Sequence, residues 1–338
     1  MHKKIITAVF GAVLAVTSLL LYISSGINAT ANDYALHKNI PLPDEITIDY
    51  ANWNFLSLVI HEKGWLDKEF GKHDVKINWI FNPGGNKAME YLLSGSADIA
   101  AAADICPLIS SINGNDIKTV YVIENNQQAI LANKSSNINH ITDLKGKNVA
   151  VTPVTQPYAF MLKSFEAAGL DVKEVNIVPL QHNDGKNQLI IGSVEGWSAP
   201  DPFWTQAEIY GARVIYTNKQ FNGTNVLNVR NEFLKKYPEA IYKVIGVYEK
   251  ARKWSQENPD DFIALIEKRT KVAPDLTNIM INKKNFNVGA VDNTAIRSLI
   301  GSGKVFQKAG IIKEDVDIEK AVKNIYDNSY YKEFTKRL

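Results

Sequence analysis

Apolar residues follow two alternating patterns along most of this chain. Residues 46–50 alternate apolar and polar positions as a strand does, and Leu56, Val59, Ile60 and Trp65 then recur at helical spacing. The same order of strand and helix repeats up to about residue 142 and starts again after Gly146. Regular alternation of this kind predicts an α/β protein with two mainly parallel sheets, each flanked by helices.

The individual elements can be predicted from these patterns. Strands are expected at residues 46–50, 75–81, 97–102, 119–123, 129–132, 149–151, 175–180, 194–197, 214–216 and 226–229. Helices are expected at residues 55–70, 87–94, 158–168, 203–210, 233–258 and 260–268, with others after residue 104 and ending at 191. The chain is mostly helical after residue 232, which predicts a helical C-terminal region.

We predict two lobes with a cleft between them. The first lobe combines residues 32–126 with 226–338, and the second covers residues 127–225. Paired strands near 123–130 and 216–228 would cross between the lobes and form the hinge. Ligands of open α/β sheets bind beyond the carboxyl ends of the strands. The loops that follow the strands are therefore the places to look for a site, and they cover residues 51–54, 82–86, 103–107, 152–157, 181–185 and 197–202.

The first 31 residues have the pattern of a cleaved secretory signal peptide. Lys3 and Lys4 precede an uncharged stretch at residues 5–23, and small residues end in Ala-Thr-Ala at 29–31. The alternative is an uncleaved membrane anchor, because this stretch is just long enough to span a bilayer. No Cys stands directly after the apolar stretch, where a lipoprotein would carry its lipid, so a lipoprotein anchor is not expected. The sequence thus predicts export to the periplasm.

Charge and histidine spacing narrow the function further. Without residues 1–31 the chain has equal numbers of basic and acidic side chains, which argues against a nucleic-acid partner. Cys106 is the only cysteine, so no internal disulfide is expected, and it is interpreted as a small buried residue and not as a reactive thiol. The six histidines show no metal-ligand spacing, and no catalytic or nucleotide-binding motif occurs. We therefore expect no metal, no cofactor and no enzymatic activity.

Four segments resemble a known family. Residues 143–151, Asp-Leu-Lys-Gly-Lys-Asn-Val-Ala-Val, resemble the start of the second lobe in substrate-binding proteins of ABC transporters. Residues 92–99 resemble the L-x-x-G-x-x-D turn of these proteins, and residues 191–202 resemble their G-x-V-D-A-W…D-P segment. Residues 233–239 and 258–261 are similar to a helical P-E…E-N-P-E-E stretch. The combination is that of the aliphatic sulfonate, taurine and nitrate-binding type, within the thiamine-pyrimidine-synthase-like superfamily.

The resemblance covers roughly residues 45–270 and implies the two-lobed periplasmic-binding-protein fold of type II. It also implies a monomer that captures a small organic ligand and delivers it to an ABC permease with a cytoplasmic ATPase. An exported ligand sensor that feeds a membrane receptor is an alternative with the same fold. The pyrimidine synthases of this superfamily use a cysteine cluster, which a chain with Cys106 alone does not have.

The resemblance places the ligand in the cleft, where helix N-termini hold an anionic group without a cation in the pocket. Asp104 and Asp201 have an alternative role as helix caps, and the glycines an alternative role as turn formers. Trp197 has an alternative role in the core. The candidate ligand contacts are Asn52, Trp53, Asn54, Gly84, Gly85, Asn86, Asp104, Thr155, Gln156, Trp197 and Asp201.

Three departures from the family pattern concern the ligand. Residues 51–54 read Ala-Asn-Trp-Asn where the family usually has a Gln or hydroxyl side chain, and residues 100–103 are four alanines in place of Gly-Ser-Thr-Gly. Residues 200–202 read Pro-Asp-Pro where Trp-Asp-Pro is common. Fewer donors and an added indole predict a ligand that is larger, flatter or less anionic than a short alkyl sulfonate.

Cleavage after Ala31 would leave Asn32 as the first residue of the exported protein. We expect Edman sequencing of protein recovered from the periplasm to start at Asn32. A chain that keeps Met1 and stays with the membrane fraction would show instead that the N-terminal segment is an anchor.

Overall fold

The structure is a computed structural model, and it describes residues 41–337. The predicted signal peptide lies outside the described residues. None of the helices described combines the length and the apolar character needed to cross a membrane.

Within the described residues the strands and helices alternate through the first two thirds of the chain. The strands are β1 (Glu45–Tyr50), β2 (Lys76–Phe81), β3 (Ile99–Ala103), β4 (Ile117–Asn126), β5 (Gln128–Ala132), β6 (Asn148–Val151), β7 (Asn176–Pro179), β8 (Gly196–Pro200), β9 (Arg213–Thr217), β10 (Gly223–Arg230) and β11 (Lys284–Asn285). The helices up to residue 209 are α1 (Phe55–Lys63), α2 (Trp65–Gly71), α3 (Gly85–Ser94), α4 (Ile105–Ile112), α5 (Gln156–Ala168), α6 (His182–Ile191) and α7 (Phe203–Ile209). The remaining helices are α8 (Asn231–Lys236), α9 (Pro238–Glu257), α10 (Pro259–Thr270), α11 (Pro274–Asn282), α12 (Asn293–Lys308), α13 (Ile318–Ile325) and α14 (Ser329–Lys336).

The first sheet has six strands in the order β11-β4-β10-β3-β1-β2. Strands β1, β2 and β3 run parallel, and β10 lies antiparallel between β3 and β4. Every residue of β3 is buried. The alanines at positions 100–103 therefore serve the core of this lobe, where their small side chains let neighbouring helices approach the sheet closely. We call this sheet and the helices packed on it the first lobe.

The second sheet has five strands in the order β7-β6-β8-β5-β9. Strands β6, β7 and β8 are parallel to one another, and β5 pairs antiparallel with both β8 and β9. Helices α5, α6 and α7 follow β6, β7 and β8 in turn. We call this sheet with these three helices the second lobe.

The chain passes between the lobes at two places. Strand β4 of the first lobe leads directly into β5 of the second at Gln127, and β9 returns to β10 through residues 218–222. The predicted fold class, two α/β lobes of mainly parallel strands, is confirmed. Strand β10 begins at Gly223, three residues before the predicted start of the first lobe's second segment, and the lobe limits themselves stay a prediction.

Two predicted helices are each divided in two. Residues 55–70 form α1 and α2 because Gly64 adopts a left-handed conformation (φ 59°) that ends the first helix. Residues 233–258 form parts of α8 and α9 because Pro238 begins the second helix, and a proline has no N–H to continue the first. In both cases the apolar spacing continues across the break, so the pattern alone does not show it.

The predicted ligand contact Trp197 lies in the core of the second lobe. Its side chain, on the second residue of β8, is fully buried and packs against Gly185 of α6. A Cβ atom at position 185 would lie 2.6 Å from Trp197 Nε1, so the indole occupies the space between sheet and helix. The alternative interpretation, a core tryptophan, therefore describes its position.

Replacing Trp197 with alanine should lower the free energy of unfolding by about 3–5 kcal/mol, as expected for a large aromatic side chain removed from a core. Trp79→Ala, at a half-buried position on edge strand β2, is a matched control and should cost less than half of that. Urea denaturation followed by circular dichroism measures both values. If Trp197→Ala leaves stability unchanged but abolishes ligand binding, Trp197 is a ligand contact in the cleft and not a core residue.

Candidate functional site

A cavity of about 20 Å³ lies between the two lobes, with room for little more than one water molecule. Its wall from the first lobe consists of Trp53, Gly85, Ala103, Asn126 and Asn225. Its wall from the second lobe consists of Gln128, Thr155, Gln156, Pro157, His182 and Pro200. Most of these residues stand at strand ends or begin helices, and none of them is an acidic side chain, a lysine or an arginine. The lobes are closed on each other around an uncharged lining.

The loop after β1 presents Trp53 to the cavity. Asn54 caps α1, because its Oδ1 accepts a hydrogen bond from Ser57 N (3.1 Å) and its carbonyl oxygen accepts one from Ser57 Oγ (2.7 Å). The cap fixes the turn, and Trp53 projects from it, almost fully buried. Among the described residues Trp53 Nε1 finds no hydrogen-bond partner. A buried donor without a partner is costly, so this indole can gain free energy from a ligand acceptor.

The loop after β2 places the N-terminus of α3 at the cavity. Asn82 is fully buried and donates to Asp49 Oδ2 (2.5 Å) and to the carbonyl oxygen of Ala101 (2.9 Å), while its Oδ1 accepts from Gly84 N (2.9 Å). Burial raises the pKa of Asp49 to about 7, against the lowering effect of the hydrogen bonds that its carboxylate accepts from Asn82 and from Ala101 N. Asn82 thereby joins three strands and orients the turn that precedes Gly85.

A buried ion pair supports the same wall from behind. Lys284 Nζ donates to Glu124 and to the carbonyl oxygen of Trp53 (3.0 Å), and both charged side chains are excluded from solvent. Glu124 Oε1 also accepts from Asn225 Nδ2 (2.9 Å). Two residues of the lining, Trp53 and Asn225, are thus held by a single charged pair.

Helix α5 begins at the cavity on the opposite side. Thr155 Oγ1 donates to the carbonyl oxygen of Thr152 (2.7 Å), which closes the turn before the helix. The hydrogen-bond partners assign the Gln156 amide with its nitrogen toward Asp104, and in that orientation it donates to Asp104 Oδ1 (3.3 Å) and accepts from Gly223 N (3.3 Å). Gln156 therefore lines the cavity and bridges the lobes.

His182 begins α6 and was not among the predicted contacts. Its Nδ1 lies 2.9 Å from Thr152 Oγ1, and its ring stacks on Phe203 with 5.6 Å between the ring centres. Burial lowers the pKa of His182 to about 3, so the imidazole is neutral. The signal in the sequence was its place directly after the strand at 175–180, in one of the loops expected to face the cleft.

Asp104 lies beside the cavity, at the contact between the lobes. It makes no side-chain cap hydrogen bond to α4, so the capping interpretation is not realised. Burial raises the pKa of Asp104 to about 7, against the opposing effect of Lys163 on α5, whose own pKa is lowered by burial. Lys163 Nζ donates to the carbonyl oxygen of Ser298 in the first lobe (3.2 Å). Asp104 and Lys163 therefore interact electrostatically across the lobe contact.

Asp201 has a structural partner on each side. Its Oδ1 accepts from Thr205 N (2.9 Å) and from Thr205 Oγ1 (2.7 Å), so it caps the start of α7 as the alternative interpretation expected. Its Oδ2 lies 3.0 Å from Lys283 Nζ of the first lobe. This ion pair crosses the lobe contact.

The structure brings together four of the predicted contacts in the cavity lining, Trp53, Gly85, Thr155 and Gln156. Asn52, Asn54, Gly84, Asn86, Asp104, Trp197 and Asp201 are not part of that lining. The lining also contains Ala103, Asn126, Gln128, Pro157, His182, Pro200 and Asn225, which the sequence interpretation did not single out. Asn126 and Gln128 lie at the crossing between the lobes, where only the pairing of β4, β5 and β10 shows that they meet. Ligand contact by any of these residues remains a prediction.

A cavity closed between two α/β lobes and reached by several helix N-termini defines a two-lobed binding protein. Residues 55–262, more than half of the chain, match the family described as NMT1/THI5 like, and the chain belongs to this family.

Three known proteins show how widely the likeness extends. A protein of Bacillus subtilis strain 168, named as an aliphatic sulfonates-binding protein, is 24% identical over 256 residues, which is 74% of this chain and 75% of that protein. The alkanesulfonate-binding protein SsuA from Xanthomonas axonopodis pv. citri, solved bound to MOPS, has a TM-score of 0.76 at 19% identity, covering 83% of this chain and 98% of its own. The periplasmic nitrate-binding protein NrtA from Synechocystis PCC 6803 has a TM-score of 0.72 at 15% identity, covering 89% and 90% of the two chains. The fold is that of the periplasmic binding proteins.

Replacing Lys284 with methionine should lower the free energy of unfolding by about 3–5 kcal/mol, because it leaves the Glu124 carboxylate buried without its cation. The double variant Lys284→Met/Glu124→Gln removes that unpaired charge and should recover part of the loss. Chemical denaturation of the two single variants and the double variant gives the coupling energy. Losses that simply add would mean that the pair contributes no interaction of its own.

Proposed function

We propose that this protein is an extracytoplasmic solute-binding protein that captures a small anionic organic ligand between its lobes and delivers it to an ABC importer. The observation that carries the proposal is the uncharged lining formed where three helices begin. Gly85, Gln156 and His182 are the first residues of α3, α5 and α6, and all three line the cavity.

Helix N-termini explain how such a site holds an anion. The first N–H groups of a helix have no partner within the helix, and the helix dipole places partial positive charge there. Three helices that converge on one cavity supply this from both lobes, so an anion between them favours the closed arrangement. The ligand is thus the bridge that stabilises closure, and release requires only that the lobes reopen.

The proteins of similar fold support a ligand with a compact oxyanion. SsuA from Xanthomonas axonopodis was solved with MOPS, in which a sulfonate is joined to a morpholine ring, and NrtA is a nitrate-binding protein. In this chain Trp53 adds an aromatic face and an unpartnered N–H to the lining. We therefore propose a sulfonate-like or aromatic anion that carries apolar surface.

A role in uptake is favoured over the other roles of this fold. Binding proteins of the reported kinds present a closed, loaded form to a permease, which needs no covalent chemistry by the binding protein. Within residues 41–337 no cluster of three His, Cys, Asp or Glu side chains is placed to hold a metal ion. We propose that the exported chain acts as a monomer. A histidine kinase or cyclase gene beside this one, in place of a permease and an ATPase, would favour a sensor.

Ligand class is tested by thermal shift and calorimetry on the chain from residue 32 onward. We expect MOPS and benzenesulfonate to raise the melting temperature, and the rise should grow with the logarithm of their concentration. At a hundredfold excess over Kd, binding adds about 2.7 kcal/mol to the free energy of unfolding. Trp53→Phe keeps an aromatic side chain and removes the indole N–H, so it should weaken binding without lowering the melting temperature of the free protein.

Two outcomes would contradict different parts of this proposal. Stabilisation by ethanesulfonate and taurine but not by the aromatic anions would overturn the preference for apolar surface. No stabilisation by sulfonates, nitrate or aromatic anions would overturn the anion-binding function itself.

A further inference from the structure

His182 occupies an unusual position for a histidine in a site built for anions. It is the first residue of α6, almost fully buried, and its ring lies in the cavity wall between Thr152 and Phe203. The N-terminal end of a helix disfavours a cationic imidazole because the helix dipole is positive there. Position and burial therefore both keep this ring neutral.

Two contacts hold the ring in place, and a third feature seats the helix that carries it. Phe203 stacks on one face, and Thr152 Oγ1 contacts Nδ1 at 2.9 Å. One turn along the helix, Gly185 lets α6 sit directly against the indole of Trp197, which sets the depth of the helix on the sheet. A side chain fixed in this way offers its ligand one ring nitrogen in one direction.

Thr152 allows either tautomer of the ring. A hydroxyl can donate to Nδ1, which leaves the proton on Nε2, or it can accept from Nδ1, which leaves Nε2 as an acceptor. An oxyanion next to Nε2 selects the first arrangement, in which Thr152 donates to Nδ1 and Nε2–H donates to the anion. The proton stays on the ring in both arrangements, so binding requires no change of charge.

We propose that His182 determines ligand specificity in the second lobe, where it donates one hydrogen bond from Nε2 of a neutral imidazole to the oxyanion of the ligand. Thr152 acts as a positioning residue: its hydroxyl holds the ring through Nδ1 and donates to Nδ1 in the tautomer that the anion selects. This inference rests on the proposed function, because it assumes that the cavity takes an anion. It adds a donor that neither a helix N-terminus nor a fixed cation provides.

A neutral donor discriminates differently from a cation. A lysine or arginine at this position would attract any anion in proportion to its charge. One N–H of fixed direction instead favours only those ligands that place an oxygen acceptor at one position. The elements packed against α6 carry few ionisable groups: Asp184 and Lys186 lie on α6 itself, Asp201 (paired with Lys283) and Glu208 lie around α7, and β6 and β8 carry none. Lys186 Nζ donates to Gln206 Oε1 (3.0 Å), so its charge already has a partner on α7.

The test measures the affinity for MOPS by calorimetry in four variants and the unaltered protein. We expect His182→Ala to weaken binding by about 10- to 100-fold, the usual effect of losing a hydrogen bond to a charged group. His182→Gln keeps a neutral donor and should recover most of the affinity. Thr152→Val should weaken binding by a smaller factor, and Thr152→Ser should restore it because the hydroxyl returns.

A pH series separates the neutral donor from a cation. The ratio of the Kd of His182→Gln to that of the unaltered protein should stay constant between pH 5.5 and 8, and Asp104, whose pKa lies near 7, affects both proteins alike. A cationic His182 would make the ratio grow as the pH falls through about 6.5. That growth would overturn the proposal, and so would His182→Ala that binds MOPS as tightly as the unaltered protein.

Melting temperatures without ligand identify variants that fail to fold. If the His182 variants do not fold, the comparison of Thr152→Val with Thr152→Ser tests the proposal. If Thr152→Val and Thr152→Ser bind equally well, the positioning role is wrong. If the unaltered protein binds neither MOPS, ethanesulfonate nor nitrate, the anion-binding function fails and this inference falls with it.

Discussion

Helix N-termini can hold an anion only if their first turns reach it, and close packing of helix on sheet meets this requirement here. A Cβ atom at Gly85 would lie 2.8 Å from Cys106 Sγ and 3.2 Å from Ala102 Cβ, so the start of α3 is seated against the alanines of β3. Gly185 has the same role for α6 against Trp197. A larger side chain at either position would push a helix start away from the cavity.

Charged side chains are absent from the cavity lining, and a charged pair lies directly behind it. Glu124 and Lys284 lie one layer back and hold Trp53 and Asn225 in place. A buried pair of this kind contributes little net stability, since desolvation of both ions offsets their attraction. Its value here is geometric, because one anchor fixes two side chains that face the cavity.

Charged side chains also interact across the lobe contact, outside the cavity lining. Asp201 of the second lobe contacts Lys283 of the first, and Asp104 of the first lobe interacts electrostatically with Lys163 of the second. Leu162 of α5 also packs with Leu299 and Phe306 of α12 in one apolar cluster. Contacts outside the ligand cavity therefore contribute to closure, and a ligand needs to add only the remaining free energy that favours the closed form.

The alternation of apolar patterns by itself determined the two α/β lobes, their order and the loops that face the cleft, because the periods of strands and helices are local properties. The family resemblance could also be seen from the sequence, because the motifs that carry it are short and local. Which side chains of those loops reach the ligand was decided only by the tertiary structure. The sequence left Trp197 between the cleft and the core, and Asp104 and Asp201 between ligand contact and helix cap, because it does not show which face of a strand or which lobe a side chain meets.

His182, Asn126 and Asn225 were not singled out from the sequence, and yet they line the cavity. They come from three separate segments and line one cavity only because β4 ends, and β10 and α6 begin, where the two lobes meet. The neutral state of His182 likewise depends on burial by Phe203 and its neighbours, which no local pattern expresses. Local periodicity determines elements, whereas the site depends on distances between residues far apart in the chain.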